Sequence, residues 1–383
     1  MKWHQVCLPR LKAEQVLKLN VALYGLKQAE RCWAKHFCTI LKDKIGFTRC
    51  QHDNAIYFKR LSDRQLLIIF IHVDDTSLIA PNCQMMQTLK DSIKSHLEIT
   101  DGSKLYWTLG IEVGHNREHW TLWLSQKAYI DSILQHYSLF DRSGQRSKSS
   151  IPFNPATTLS ANDTPKIQDN IVFMHNKPYC KALGALMYCA VITHLDIFYT
   201  VSQLSWFTSN PGRKHWTALY KVYTYLNQTK DLRLTFSANP PTVLGFSNAD
   251  GMSSPNWHTM SDYVFLVDRG AVSWSSKYQE LVALSTAEAE YVTITHATKE
   301  AIWLQNFIKE IFSNLNTIPF PLHSNNNVSH CTCQGWLLPL SHQTYQHLFL
   351  FYLFRYWIWQ TQAHFLSYYW YDCWHFHQGP SFD

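Results

Sequence analysis

Two adjacent carboxylates interrupt the most apolar stretch of the chain. Residues 66–80 read LLIIFIHVDDTSLIA, with Asp74 and Asp75 between two runs of aliphatic and β-branched side chains. Both runs have strand propensity, and the polar break at Asp74, Asp75, Thr76 and Ser77 is short enough for a hairpin. Carboxylates about 4 Å apart repel by roughly 4 kcal/mol at an effective dielectric of about 20, so a cation is their natural partner. Mg²⁺, which takes a few carboxylates together with phosphates, suits that role. A solvated Asp-Asp turn is the ordinary alternative. Upstream, VALYGLKQA (21–29) offers Gly25 for close backbone approach, Lys27 for neutralising a phosphate and Gln28 for hydrogen bonding. A plain helix start with a solvated lysine is the alternative there.

The elements that must hold these residues follow from periodicity. Residues 84–99 and 126–139 have helical spacing, with Ala128, Ile130, Ile133, Leu134 and Tyr137 forming an apolar stripe in the second. Between them, LYWTLGIEV and HWTLWLS alternate like two strands. Residues 141–170 shift to Ser, Pro, Asn and Thr and read as an exposed linker. Residues 179–230 return to helix, with Tyr179, Leu183, Leu186, Met187 and Ala190 on one face, and their apolar side chains read as core. From 243, three short strands lead into a long amphipathic helix through Ala287, Tyr291, Ile294, Ala297, Ala301, Leu304, Ile308 and Ile311, and PFPLHSN (319–325) supplies a fourth strand.

A chain of 383 residues has room for two or three domains with sizeable cores. The net charge of +6 permits a nucleic-acid partner without arguing for one. Ten cysteines form no regular framework, which argues against a disulfide scaffold. The opening Met1-Lys2-Trp3-His4 leads into basic sequence rather than an apolar signal core, so an intracellular setting, cytoplasm or nucleus, is expected.

The LYGLKQA block about fifty residues before a VDD pair resembles the reverse transcriptase of copia-type LTR retrotransposons. Further blocks run in the family's order: LGIEV (109–113), LSQKAYIDSIL (124–134), GALMYCAVITHLDI (184–197), SNPGRKHW (209–216), AVSWSSKYQELVALSTAEAEY (271–291) and KEAIWL (299–304), so the resemblance covers roughly residues 19–327. It implies an α+β chain: a partial fingers and palm over 1–100, thumb and connection over 101–235, and an incomplete ribonuclease H-like α/β domain over 236–328. It implies RNA-directed DNA synthesis with Mg²⁺, where Asp74 and Asp75 bind metal while Gly25, Lys27 and Gln28 shape the nucleotide and template site. The implied partners are an RNA template, a DNA primer, a dNTP and an RNA–DNA hybrid, with no membrane. Two departures predict weak or absent activity. The family's first catalytic aspartate, in a D-x-x-x-A-F strand, has no counterpart, since only Glu14 and Glu30 are acidic before Asp43. Glu30 also stands where the family has proline, beside an anionic substrate.

The βββαβ order with carboxylates on the first strand, the helix and the fourth strand resembles ribonuclease H, whose acids hold two metals that cut the RNA of a hybrid. Here the family's SDAD reads Ser247-Asn248-Ala249-Asp250, and its D-N pair reads Ser324-Asn325-Asn326. Glu288 matches the helix acid, with Glu290 beside it, and Asp250 is the possible stand-in metal ligand for Asn248. An amide keeps shape but lacks the charge a hard cation needs, so this nuclease site is expected to be inactive. Residues 329–383 leave the family pattern for a run of aromatic, His and Gln residues, and a frameshifted translation is the simplest account. LFLFYLFRYWIW (348–359) is too short to span a bilayer, and His330, Cys331, Cys333, His342 and His347 lack zinc-finger spacing.

Overall fold

The computed structural model describes residues 25–62, 65–72, 75–116, 118–119, 121–137, 149–154, 156–237, 243–250, 259–267, 269–312 and 321–324. Asp74, Asn325 and the 329–383 segment lie outside them.

Helix α1 (Ala29–Thr39) runs on into a wider π-type turn at Ile40–Lys44. The first sheet follows: β1 (Thr48–Arg49), β2 (Ile56–Ser62), β3 (Gln65–His72) and β4 (Asp75–Ile79), antiparallel and in that order. The unbroken apolar run in β3 has a simple cause, burial on both faces. Leu67 and Ile69 pack with Phe37, Leu41 and the Leu89 and Ile93 side chains of α2 (Cys83–Lys94). Ile68 and Phe70 pack with Ile56 and Phe58 into the core that runs through the rest of the chain. The Asn82 side chain caps α2 by accepting from Met85 N–H at 2.8 Å.

The second sheet joins β5 (Trp107–Thr108), β6 (Ile111–Asn116) and β7 (Thr121–Ser125) to β8 (Leu234–Ser237), all antiparallel. Five helices fill the interval between β7 and β8: α3 (Lys127–His136), α4 (Gln168–His175), α5 (Tyr179–Ile192), α6 (Phe198–Ser205) and α7 (Arg213–Thr229). Tyrosine hydroxyls fasten them, Tyr223 to the Ala182 carbonyl at 2.8 Å and Tyr179 to the Leu204 carbonyl at 2.9 Å.

The expected exposed linker is in part docked. Leu159 is buried in the main core, Ser160 and Asp163 form a capping box, and Asp163 pairs with Lys214 of α7 at 2.5 Å. Gly212 makes this approach possible, because a Cβ there would stand 1.7 Å from the Asp163 carbonyl oxygen.

The third sheet comprises β9 (Val243–Ala249), β10 (Met260–Val267), β11 (Gly270–Tyr278) and β12 (Leu322–Ser324), in the order β11-β10-β9-β12. β12 lies parallel to β9, which demands a crossover, and α8 (Thr286–Ile311) supplies it. Strand alternation assigns the two faces. Ser261 Oγ meets Thr293 Oγ1 at 2.7 Å and Ser273 Oγ donates to Glu300 Oε1 at 2.5 Å, so α8 covers that face. Trp274 Nε1 donates to the Ala190 carbonyl at 2.9 Å, so α5 lies on the other.

Candidate active site

The hairpin turn is narrower than the sequence suggests. β4 begins at Asp75, which pairs with His72, and Thr76 and Ser77 continue the ladder opposite Ile71 and Phe70. Asp75 is exposed at this end of the sheet. Burial lowers the His72 imidazole below its usual range, and two negative charges oppose that shift, Asp75 and then Glu30. Both acids therefore lie within electrostatic reach of one ring, which brings the start of α1 to the hairpin end of the sheet. Gly25 sits just before that helix at φ +90°, a left-handed conformation that favours glycine, with no described residue within 4 Å of where a Cβ would be. Lys27 and Gln28 are exposed beside it.

One feature of α1 escaped the sequence reading. Arg31 and Lys35 are exposed four residues apart and so share one side of the helix, and Lys27 is exposed in the turn before it. Trp33 and Phe37 stack with ring centroids 5.5 Å apart, and Phe37 is buried in the core on the other side. The i, i+4 spacing of the cations was the available signal.

In the third sheet, Asn248 is exposed and directly opposite Asp262. Asp250 shares that face by alternation, and Tyr199 Oη of α6 donates to its Oδ2 at 3.5 Å, while Gln203 Nε2 donates to Tyr199 Oη at 2.6 Å. Burial pushes the Asp262 carboxyl up to about 6; the Ser276 hydroxyl pulls it down and the Asp250 charge pushes it further up. Asp262 carries no family motif and was not singled out from the sequence.

The two acids at the start of α8 have different settings. Glu288 is exposed and works as a cap: its backbone N–H donates to Ser285 Oγ at 3.2 Å, and its Oε2 accepts from Leu284 N–H at 2.7 Å. Glu290 is the buried one, 6% exposed, and its Oε2 has no hydrogen-bond partner among the described residues. The Ser-x-x-Glu spacing from Ser285 to Glu288 was a legible capping signal.

A hard divalent ion needs several oxygen ligands in close array. Among the described residues the hairpin end offers Asp75 and Glu30, and the third sheet offers Asp250 and Asp262 with an amide at Asn248. Neither described set fits a cage for two Mg²⁺ ions.

Residues 10–150 match the family model described as reverse transcriptase (RNA-dependent DNA polymerase). Over 85% of its length the chain is 33% identical to the retrovirus-related Pol polyprotein from transposon TNT 1-94 of Nicotiana tabacum, covering 23% of that protein. It is 27% identical over 88% of its length to the Pol polyprotein from transposon RE1 of Arabidopsis thaliana, covering 22% of it. A shorter relative, secreted RxLR effector protein 161 of Plasmopara viticola, is 42% identical over 34% of this chain and 94% of its own length. The helices and largely antiparallel sheets are consistent with a reverse transcriptase domain, and the matched region together with these relatives supports a retrotransposon-derived reverse transcriptase fragment. The chain belongs to the pol polyproteins of copia-type retrotransposons. It spans less than a quarter of the length of the tobacco and Arabidopsis polyproteins. Reverse transcriptases generally depend on Mg²⁺ and act on a nucleic-acid template with deoxynucleoside triphosphates. No described helix is long and apolar enough to cross a membrane.

Proposed function

We propose that this chain is a reverse transcriptase–ribonuclease H remnant that holds an RNA–DNA hybrid in an intracellular setting but has lost most or all of its catalysis. The observation that supports this reading is the hairpin end of the first sheet, where Asp75 and Glu30 at the start of α1 both act on His72, with Gly25 left-handed just before that helix and Arg31 and Lys35 exposed on it. Polymerase ancestry assigns Asp74 and Asp75 to Mg²⁺, and Gly25, Lys27 and Gln28 to the dNTP and template. The exposed cations Lys27, Arg31 and Lys35 suit the phosphates of primer or template, a contact whose strength falls with salt. The third sheet supports the nuclease half of the reading through its β11-β10-β9-β12 order and its parallel return beside the first strand of the unit. Asn248 supports the loss of cleavage, because an amide replaces a charge at the strand position where the resemblance calls for a metal ligand.

The test uses the full chain with a DNA primer annealed to RNA. Expected are salt-sensitive binding, no Mg²⁺-dependent extension and no cleavage of the RNA strand. Replacing Lys27, Arg31 and Lys35 together by Gln is expected to weaken binding and to flatten the salt dependence by up to about 3 in log–log slope. Primer extension that vanishes in Asp74→Asn would overturn the loss of catalysis. Binding indifferent to salt and to the triple substitution would overturn the hybrid-holding role.

A further inference from the structure

Away from the carboxylate sites, three ligating side chains of different chemistry converge at the seam between the first sheet and α8. Cys50 and His52 stand in the turn between β1 and β2, and Glu310 in the last turn of α8. The Cys50 thiol donates to Glu310 Oε2 at 3.0 Å, and His52 Nδ1 lies 2.6 Å from the same oxygen. Their ligating atoms all fall within 4.8 Å of one another. The backbone holds the carboxylate in place: Gln51 N–H donates to Oε1 at 2.6 Å and His52 N–H to Oε2 at 3.2 Å. The Arg60 guanidinium binds the carbonyl oxygens of Glu310 and Ile311, which fixes the helix end that presents it.

We propose that Cys50, His52 and Glu310 bind Zn²⁺, and that the ion clasps the β1–β2 turn to the end of α8. The donor set decides the class of metal. One sulfur, one imidazole nitrogen and one carboxylate oxygen suit a borderline-soft ion, whereas Mg²⁺ takes oxygen alone. Zinc accepts ligands at about 2.0–2.3 Å, so tetrahedral neighbours stand roughly 3.3–3.7 Å apart. The hydrogen-bonded contacts must open by less than about 1 Å to admit it. Cys50 is buried, while the His52 side chain is 32% exposed, so the ion enters from the histidine side and water completes the fourth position. On binding, a sulfur–zinc bond replaces the thiol S–H bond and that proton leaves to solvent; the His52 ring gives up the Nδ1 proton that bonds Glu310 and carries its proton on Nε2 instead, which frees the Nδ1 lone pair for the ion, and no atom changes oxidation state. The amides on Glu310 act as the outer hydrogen bonds that orient a metal ligand. Because Cys50 and Glu310 are 260 residues apart in sequence, the bond joins elements that the chain itself leaves far apart.

Co²⁺ and Zn²⁺ titrations of the full chain test this. Co²⁺ is expected to give a thiolate charge-transfer band in the near ultraviolet, and Zn²⁺ at about a hundredfold excess over its Kd to raise Tm by about 3 °C or more. Cys50→Ser, which keeps a hydroxyl donor for Glu310, is expected to lose both, and His52→Gln to lose the Zn²⁺-dependent rise. A Cys331→Ser/Cys333→Ser variant is expected to keep both, which separates the clasp from other thiols. Bands and Tm shifts equal in wild type and in both clasp variants would overturn the proposal, as would a wild-type Tm indifferent to Zn²⁺.

Discussion

Asn248→Asp places a third carboxylate on the face of β9 and β10 that carries Asp250 and Asp262. Directly paired residues have Cβ atoms about 5 Å apart, where two charges repel by about 1 kcal/mol in water and about 3 kcal/mol at an effective dielectric of 20. Asn248 is exposed, so screening holds the effect near the lower figure. Asp262 already has its carboxyl raised from 3.8 to about 6. A carboxyl raised on folding contributes stability that is full below its unfolded value and is lost as pH rises through its folded one. The new charge moves that loss to higher pH. The expected outcome is a Tm about 2–4 °C below wild type at about pH 8 with EDTA, shrinking toward about pH 5 as Asp262 takes up its proton. Millimolar Mg²⁺ is expected to cancel the deficit at the higher pH, because three carboxylates then share one hard cation. Circular-dichroism melts across pH, with and without Mg²⁺, measure all of this. A deficit that is the same at both ends of the range, or unmoved by Mg²⁺, refutes the shared face and the reading of Asn248 as a lost ligand.

Two stability predictions lie elsewhere in the fold. Asp53 is 2% exposed, accepts from Ala55 N–H through Oδ1 at 2.8 Å, and has its carboxyl pushed by burial from 3.8 up to about 7. Its ionised form therefore costs up to about 4 kcal/mol above that pH. Asp53→Asn keeps the acceptor and removes the charge, so its urea midpoint is expected to exceed wild type at about pH 8 and to match or fall below it at about pH 5. An unchanged difference across pH would refute the buried charge. Gly212→Ala drives a methyl into the Asp163 carbonyl and is expected to cost about 1–3 kcal/mol or more. A wild-type melting curve would show that the 157–164 segment is not docked against α7.

Much of the fold is legible in local pattern because local physics makes it. The apolar run of β3, Ile130, Ile133 and Leu134 of α3, and Ala297, Leu304, Ile308 and Ile311 of α8 report burial that their own residues undergo, whereas Ala128, Ala287 and Tyr291 of the expected stripes are exposed. The docking of Leu159 and Asp163 was not legible, since a Ser-, Pro- and Asn-rich composition reads as solvent-exposed until a partner helix is placed beside it. β8 was likewise hidden, because its four residues become a strand only by pairing with β7.

For the candidate site, residue chemistry determined the adjacent carboxylates at Asp74 and Asp75, the uncharged amides at Asn248 and Asn325, and the copia-type order of blocks. Those are properties of side-chain type and spacing, carried by the chain whether folded or not. Which acids face inward belongs to tertiary structure alone. Neighbours two residues apart on a helix point about 160° away from each other, so Glu288 caps α8 in solvent while Glu290 is buried. Strand register, which sets Asp262 opposite Asn248, and the crossover that carries Glu310 to Cys50 and His52 arise only when distant segments pack, and no local pattern records them.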